Sequence, residues 1–157
     1  MKFDQINYFM SLALDLAHKA FQQDEVPVGA IIVNKHGDVI ASQFNLKEKN
    51  QNPCHHAEVL AVTQACEKLN SWRLLDCDLY VTLEPCPMCL ATLSQARLNN
   101  IYFGAYDPKG GAISLGFDLH KNELLNHKLG IYGGFKHLEC SRLISSFFRQ
   151  RRSAYKK

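Results

Sequence analysis

His56, Cys86 and Cys89 are residue types that hold a soft divalent metal, and each stands in a short motif, His56-Ala57-Glu58 and Pro85-Cys86-Pro87-Met88-Cys89. One imidazole and two thiolates make three zinc ligands. Structural zinc is usually closed by four protein ligands, whereas catalytic zinc keeps three and leaves a position for water or substrate. Because two thiolates already neutralise a divalent ion, the bound water is acidified less than it would be by neutral imidazoles. A nearby base then becomes useful. Glu58, two residues past the histidine, is placed to accept a proton from water and deliver it to a substrate. The chemistry expected is hydrolytic, with one Zn2+ per subunit.

The elements that position these groups follow from spacing. Ile6, Phe9, Met10, Ala13, Leu14, Ala17 and Phe21 recur at helical intervals and predict an amphipathic helix ending before Asp24. Val28 to Asn34 and Val39 to Phe44 read as strands of an antiparallel hairpin, followed by a polar loop from Asn45 to Pro53. A second helix from about His55 to Asn70 would carry His56 and Glu58 on its first turn. After a strand at Leu79 to Leu83, Pro87 suits the first turn of a helix continuing through Leu90 to Leu98. Both cysteine sulfurs then lie near a helix N-terminus, where the dipole favours thiolates. Ile101 to Gly104 is another strand, Gly104 to Gly116 an irregular loop beside the site, and Gly130 to Gly134 a short strand and turn. A C-terminal helix from about 135 to 157 has Cys140, Leu143, Ile144, Phe147 and Phe148 as its apolar stripe. Strands interspersed with helices imply one three-layer α/β domain with a mixed central sheet covered by helices.

The 157-residue chain is long enough to bury a self-sufficient core, and 46% hydrophobic with 21% charged residues is ordinary for a globular domain. Asp4, Asp15 and His18 interrupt the apolar N-terminal stretch, so no run reaches the roughly 18 residues of a membrane span. No secretion signal is evident, and six cysteines without one, two of them in a metal motif, point to a reducing cytoplasm rather than a disulfide framework. The net charge of +3 is unevenly placed: Arg142, Arg149, Arg151, Arg152, Lys156 and Lys157 follow Cys140 with no acidic residue among them. A basic appendage on a slightly acidic body is a footprint of nucleic-acid contact.

H-x-E followed by P-C-x-x-C resembles the zinc-dependent nucleobase deaminases of the cytidine and deoxycytidylate deaminase superfamily. The likeness extends to Glu25-Val26-Pro27-Val28-Gly29-Ala30, Leu79 through Cys86, Phe103-Gly104-Ala105, Asn126-His127 and Phe147 through Arg152, which look like the bacterial tRNA-specific adenosine deaminases. That resemblance implies a cytidine-deaminase-like fold and a homodimer. It also implies deamination of the wobble adenosine in a tRNA anticodon stem-loop to inosine, by zinc-activated hydroxide with Glu58 as proton shuttle. It further implies that Asn45 touches the flipped nucleotide, that Pro85 and the backbone of Leu83 to Glu84 line the pocket, and that the Asp107 to Gly111 loop, with Lys109, meets the anticodon strand. Arg149, Arg151 and Arg152 would contact phosphates.

Other readings remain open on residues alone. Cys54 could close a structural zinc knuckle, the zinc set also serves deaminases of free guanine, cytosine or cytidylate, and a zinc module could bind nucleic acid without turnover. His55 competes with His56 as a ligand, and the one-residue spacer to Glu58 favours His56. Asn45 and Asp107 are good turn formers, Glu25 suits a loop near the mouth of the site, and Trp72, Phe147 and Phe148 suit the core. Cys66, Cys77 and Cys140 read as buried thiols, and His120 and His127 have no ligand spacing.

Overall fold

The computed structural model describes residues 3–156; Met1, Lys2 and the last basic residue of the tail, Lys157, lie outside the described residues. Four α-helices and five strands, with one short 3-10 helix at Leu119–Lys121, form the elements of the described residues: α1 (Phe3–Gln22), β1 (Gly29–Asn34), β2 (Val39–Phe44), α2 (Ala57–Leu69), β3 (Cys77–Leu83), α3 (Pro87–Gln95), β4 (Asn100–Ala105), β5 (Gly130–Gly133) and α4 (His137–Tyr155). The strands make one sheet in the order β2-β1-β3-β4-β5. β1 runs antiparallel to β2 and β3, whereas β3, β4 and β5 are mutually parallel. The expected mixed sheet is present, with its hairpin at one edge.

Alternation along the strands separates two cores. Ile31, Val33, Tyr80 and Tyr102 face α1 and α4, while Ala30, Ile32, Leu79, Val81, Ile101 and Phe103 face α2 and α3. Because side chains alternate with period two, each central strand is apolar on both faces and three layers result. At Gly29 a Cβ would lie 2.0 Å from the Ala13 carbonyl oxygen, so only glycine lets α1 pack this close to β1.

Several expectations need correction. α3 stops at Gln95 because Arg97 takes a left-handed backbone (φ 62°), which turns the fully buried Leu98 into the core instead of continuing the helix. α2 begins at Ala57, so His56 is its N-cap rather than a first-turn residue. Gly104 belongs to β4, leaving the irregular loop to start after Ala105. Trp72 is 53% exposed beyond the end of α2, with the Arg73 guanidinium over its ring at 4.2 Å, and is not core. Phe147 is buried against Phe21, but Phe148, one residue on and so turned by about 100° on the helix, is exposed. Cys77 and Cys140 are buried as expected, Cys66 only partly.

Candidate active site

Both helices that supply ligands begin at the site. His56 and Cys86 are N-caps with extended backbones (ψ 152° and 169°), and neither uses its own side chain to cap its helix. The carbonyls of both residues already accept the first intrahelical bonds, from Leu60 N–H at 3.1 Å and Leu90 N–H at 2.9 Å. These candidate ligand side chains therefore occupy the places where Ser or Asp would normally cap, and two positive helix ends converge on one point. Pro87 follows Cys86 at the first helical position, where its missing N–H costs nothing.

The three ligand atoms form one cluster. His56 Nδ1 lies 3.5 Å from Cys89 Sγ and 3.7 Å from Cys86 Sγ. Tetrahedral zinc with Zn–N near 2.0–2.1 Å and Zn–S near 2.3 Å would hold such atoms about 3.6 Å apart, so the donor set fits the ion. Among the described residues no other group of three such side chains converges in this way. Cys54 is exposed and its N–H bonds to Asn52, and His55 Nδ1 pairs with the Asn50 amide at 2.9 Å. Neither belongs to the cluster, which leaves the site with three ligands and a place for a reactant.

Without metal the two thiols share a proton unequally. The hydrogen bond from Cys89, helped by His56, lowers Cys86 to about 4; the same bond and burial push Cys89 upward. His56 is raised, chiefly by its hydrogen bond with Cys86. Glu58, on the first turn of α2 and only 4% exposed, is pushed up to about 7 by burial. A buried carboxyl that changes charge near neutrality and lines the cavity with His56 and Cys86 suits proton transfer.

A cavity of about 280 Å³ opens onto this cluster, near the lower end of the usual range for ligand pockets (about 300–1,000 Å³). Its wall includes His56, Glu58, Cys86, Asn45, Leu83, Glu84 and Asp107, so most of the expected pocket residues are brought together. Asn45 Oδ1 accepts the Ala57 N–H at 2.7 Å, so this side chain holds the start of α2 as well as facing the cavity. Asp107 Oδ1 accepts the N–H groups of Lys109 and Gly110, which makes it the turn former of its loop. Pro85 contributes its carbonyl to Ala112 N–H at 2.8 Å. Lys109 lines a neighbouring groove, and Arg149 and Arg152 are exposed on α4. Arg151 is engaged internally, donating to the Asp24 carbonyl and lying over the Phe147 ring at 5.0 Å.

The sequence suggests a loop carboxylate near the mouth for Glu25 and only a backbone role for Glu84. Both carboxylates are in fact buried in the cavity wall, 1% and 2% exposed. A signal existed for Glu84: an acidic residue leaving a central strand has no route to solvent and must be bonded internally.

Comparison with known proteins places this geometry. The family model for the cytidine and deoxycytidylate deaminase zinc-binding region matches residues 3–105. The tRNA-specific adenosine deaminase of Bacillus subtilis is 41% identical, over 97% of this chain and 94% of its own, and that of Agrobacterium fabrum is 42% identical over 92% and 95%. A structure from a study of A-to-I editing by tRNA:A34 deaminases superposes with a TM-score of 0.82 at 42% identity, covering 87% of this chain and 98% of its own. Guanine deaminase from Bacillus subtilis superposes with a TM-score of 0.61 at 30% identity, covering 92% of each chain. With three residues able to hold zinc clustered at two helix starts and these likenesses over most of its length, the chain belongs to the cytidine and deoxycytidylate deaminase family of zinc-binding enzymes.

Proposed function

We propose that this protein deaminates adenosine to inosine at the wobble position of a tRNA. The observation that carries the reading beyond the family is the continuity of the zinc cavity with two grooves. Val26, Lys47 and Glu48 line both the cavity and a groove running past Phe148 and Arg152, while Leu83 and Asp107 line both the cavity and a groove along Lys109, His137 and Ile144. A free base needs only the cavity. A looped RNA strand has neighbouring nucleotides to lay on either side, with exposed aromatic and basic groups to receive them.

Zinc held by His56, Cys86 and Cys89 supplies, when bound, the Lewis acidity that makes a water nucleophilic near neutral pH. Glu58 takes one proton from the water and delivers it to N1 of the adenine as the C6–O bond forms; it then takes the proton left on that oxygen and passes it to the exocyclic nitrogen as the C6–N6 bond breaks and the C6 carbonyl forms. Water is consumed and ammonia leaves. Asn45 orients the nucleotide by its amide nitrogen, its oxygen being committed to Ala57. The whole chain acts as one deaminase domain with α4 as a basic docking helix, in the cytoplasm and as a homodimer. Support for the dimer is the partly exposed apolar surface of Leu69 and Trp72 at the end of α2. No helix of the described residues is long and apolar enough to cross a membrane.

Incubation of the zinc-loaded protein with total tRNA, followed by reverse transcription, is expected to show adenosine reading as guanosine at the wobble position. No conversion there, with ammonia released from guanine or cytosine, would replace the reading by deamination of a free base. Arg149→Ala with Arg152→Ala is expected to weaken tRNA binding and reduce the slope of log affinity against log salt by roughly 0.7–0.9 per lost contact. Arg151 is left out of that pair because its guanidinium clasps α4 to the end of α1. An unchanged salt slope would end the phosphate role of α4.

A further inference from the structure

Two carboxylates in the cavity wall have no place in the proton transfers above. Glu84, at the exit of β3, accepts three hydrogen bonds from the loop after β4: Ser114 N–H on Oε1 at 2.7 Å, and Asp107 N–H and Ser114 Oγ on Oε2 at 2.9 and 2.6 Å. Gly111 lies flat against this carboxylate, where a Cβ would fall 2.2 Å from Glu84 Cδ. Across the cavity, Glu25 accepts Lys49 N–H at 2.7 Å and Glu48 N–H at 3.2 Å from the loop after β2. Each loop is otherwise irregular and each supplies cavity residues, Asp107 and Gly110 on one side and Lys47 and Glu48 on the other.

From this geometry we infer that Glu25 and Glu84 are positioning residues that hold the two rims of the cavity at a set aperture for an RNA loop. A buried carboxylate must be satisfied by donors, and here the donors are four backbone N–H groups of the rims and the Ser114 hydroxyl. Charge-assisted bonds of this kind resist local opening better than neutral ones. The rims are thereby ordered before substrate arrives, so the ordering cost is not charged against binding. Neither carboxylate touches the three ligands or Glu58 through any bond described above, so the effect falls on binding. The inference rests on the proposed RNA substrate for its kinetic consequence but not for its structural one.

The test uses zinc-loaded Glu84→Gln, Glu25→Gln and the milder Ser114→Ala, which removes one donor and leaves the carboxylate charge and its backbone partners in place. An amide can satisfy the donors on only one oxygen, so Glu84→Gln is expected to lose amide-exchange protection at Asp107 and Ser114 but not at Glu48 and Lys49. Glu25→Gln should show the reverse. With an anticodon stem-loop carrying adenosine at the wobble position, KM should rise roughly tenfold or more for the glutamine variants and less for Ser114→Ala, with kcat within about threefold and zinc content unchanged. Unaltered exchange at the paired amides, or a tenfold loss of kcat at constant KM, would overturn the inference. A wild-type protein inactive on the stem-loop would instead overturn the RNA reading, and exchange, which needs no RNA, would decide the clamps.

Discussion

Glu58→Gln is expected to keep one zinc per subunit and the fold while losing about a hundredfold to ten-thousandfold of kcat, the usual contribution of a positioned acid or base. Glutamine preserves the buried shape but can neither take the water's proton nor return one to the leaving amine. The same substitution should stabilise the metal-free protein at neutral and higher pH. Burial raises Glu58 from its ordinary 4.5 to about 7, so below pH 4.5 the group is protonated in both folded and unfolded chains and imposes no penalty. Between about 4.5 and 7 the folded protein holds a proton that the unfolded chain releases, and stability falls as pH rises. Above about 7 the penalty levels off at about 3 kcal/mol, which the neutral amide avoids. Urea denaturation of both metal-free proteins at pH 5 and pH 8 would show the difference. A variant that retained more than a tenth of wild-type kcat would remove Glu58 from the mechanism.

Cys86→Ser is expected to abolish activity through loss of the metal, with zinc affinity falling by more than the roughly 10–100-fold that removal of a supporting partner costs. Cys86 is held near 4 and is already a thiolate at neutral pH, so it is the strongest preformed donor in the apo site. Cys89 is shifted upward and keeps its proton until the metal displaces it. Zinc binding to the wild type at pH 7.5 should therefore release at least one proton, measurable by calorimetry in buffers of different ionisation enthalpy. Affinity should fall as pH drops through the raised range of His56, because a protonated imidazole cannot coordinate. Full zinc retention by Cys86→Ser, or binding without proton release, would contradict the assigned ligand set.

Much of the fold was legible because periodicity is a local property. The face of α1 that packs on the sheet, the β1–β2 hairpin and the short strand at Gly130 all lie where spacing predicts them. Misplaced boundaries had local causes that hydrophobicity does not encode, such as the left-handed turn at Arg97 that ends α3. Trp72 and Phe148 are exposed for a different reason: aromatic character alone does not say whether a partner surface exists.

The sequence by itself determined the ligand types and the spare carboxylate, because His56, Glu58, Cys86 and Cys89 sit in motifs only a few residues long, each displayed by a single helix start. Tertiary structure alone decided what lies around them. The order β2-β1-β3-β4-β5 brings two distant helix N-termini within one coordination sphere. It also sets the loops after β2 and β4 on opposite sides of the cavity and buries Glu25 and Glu84 beneath them. Those contacts join residues more than 20 positions apart, and most of the hydrogen bonds that satisfy the two buried carboxylates come from backbone groups that carry no side-chain signal.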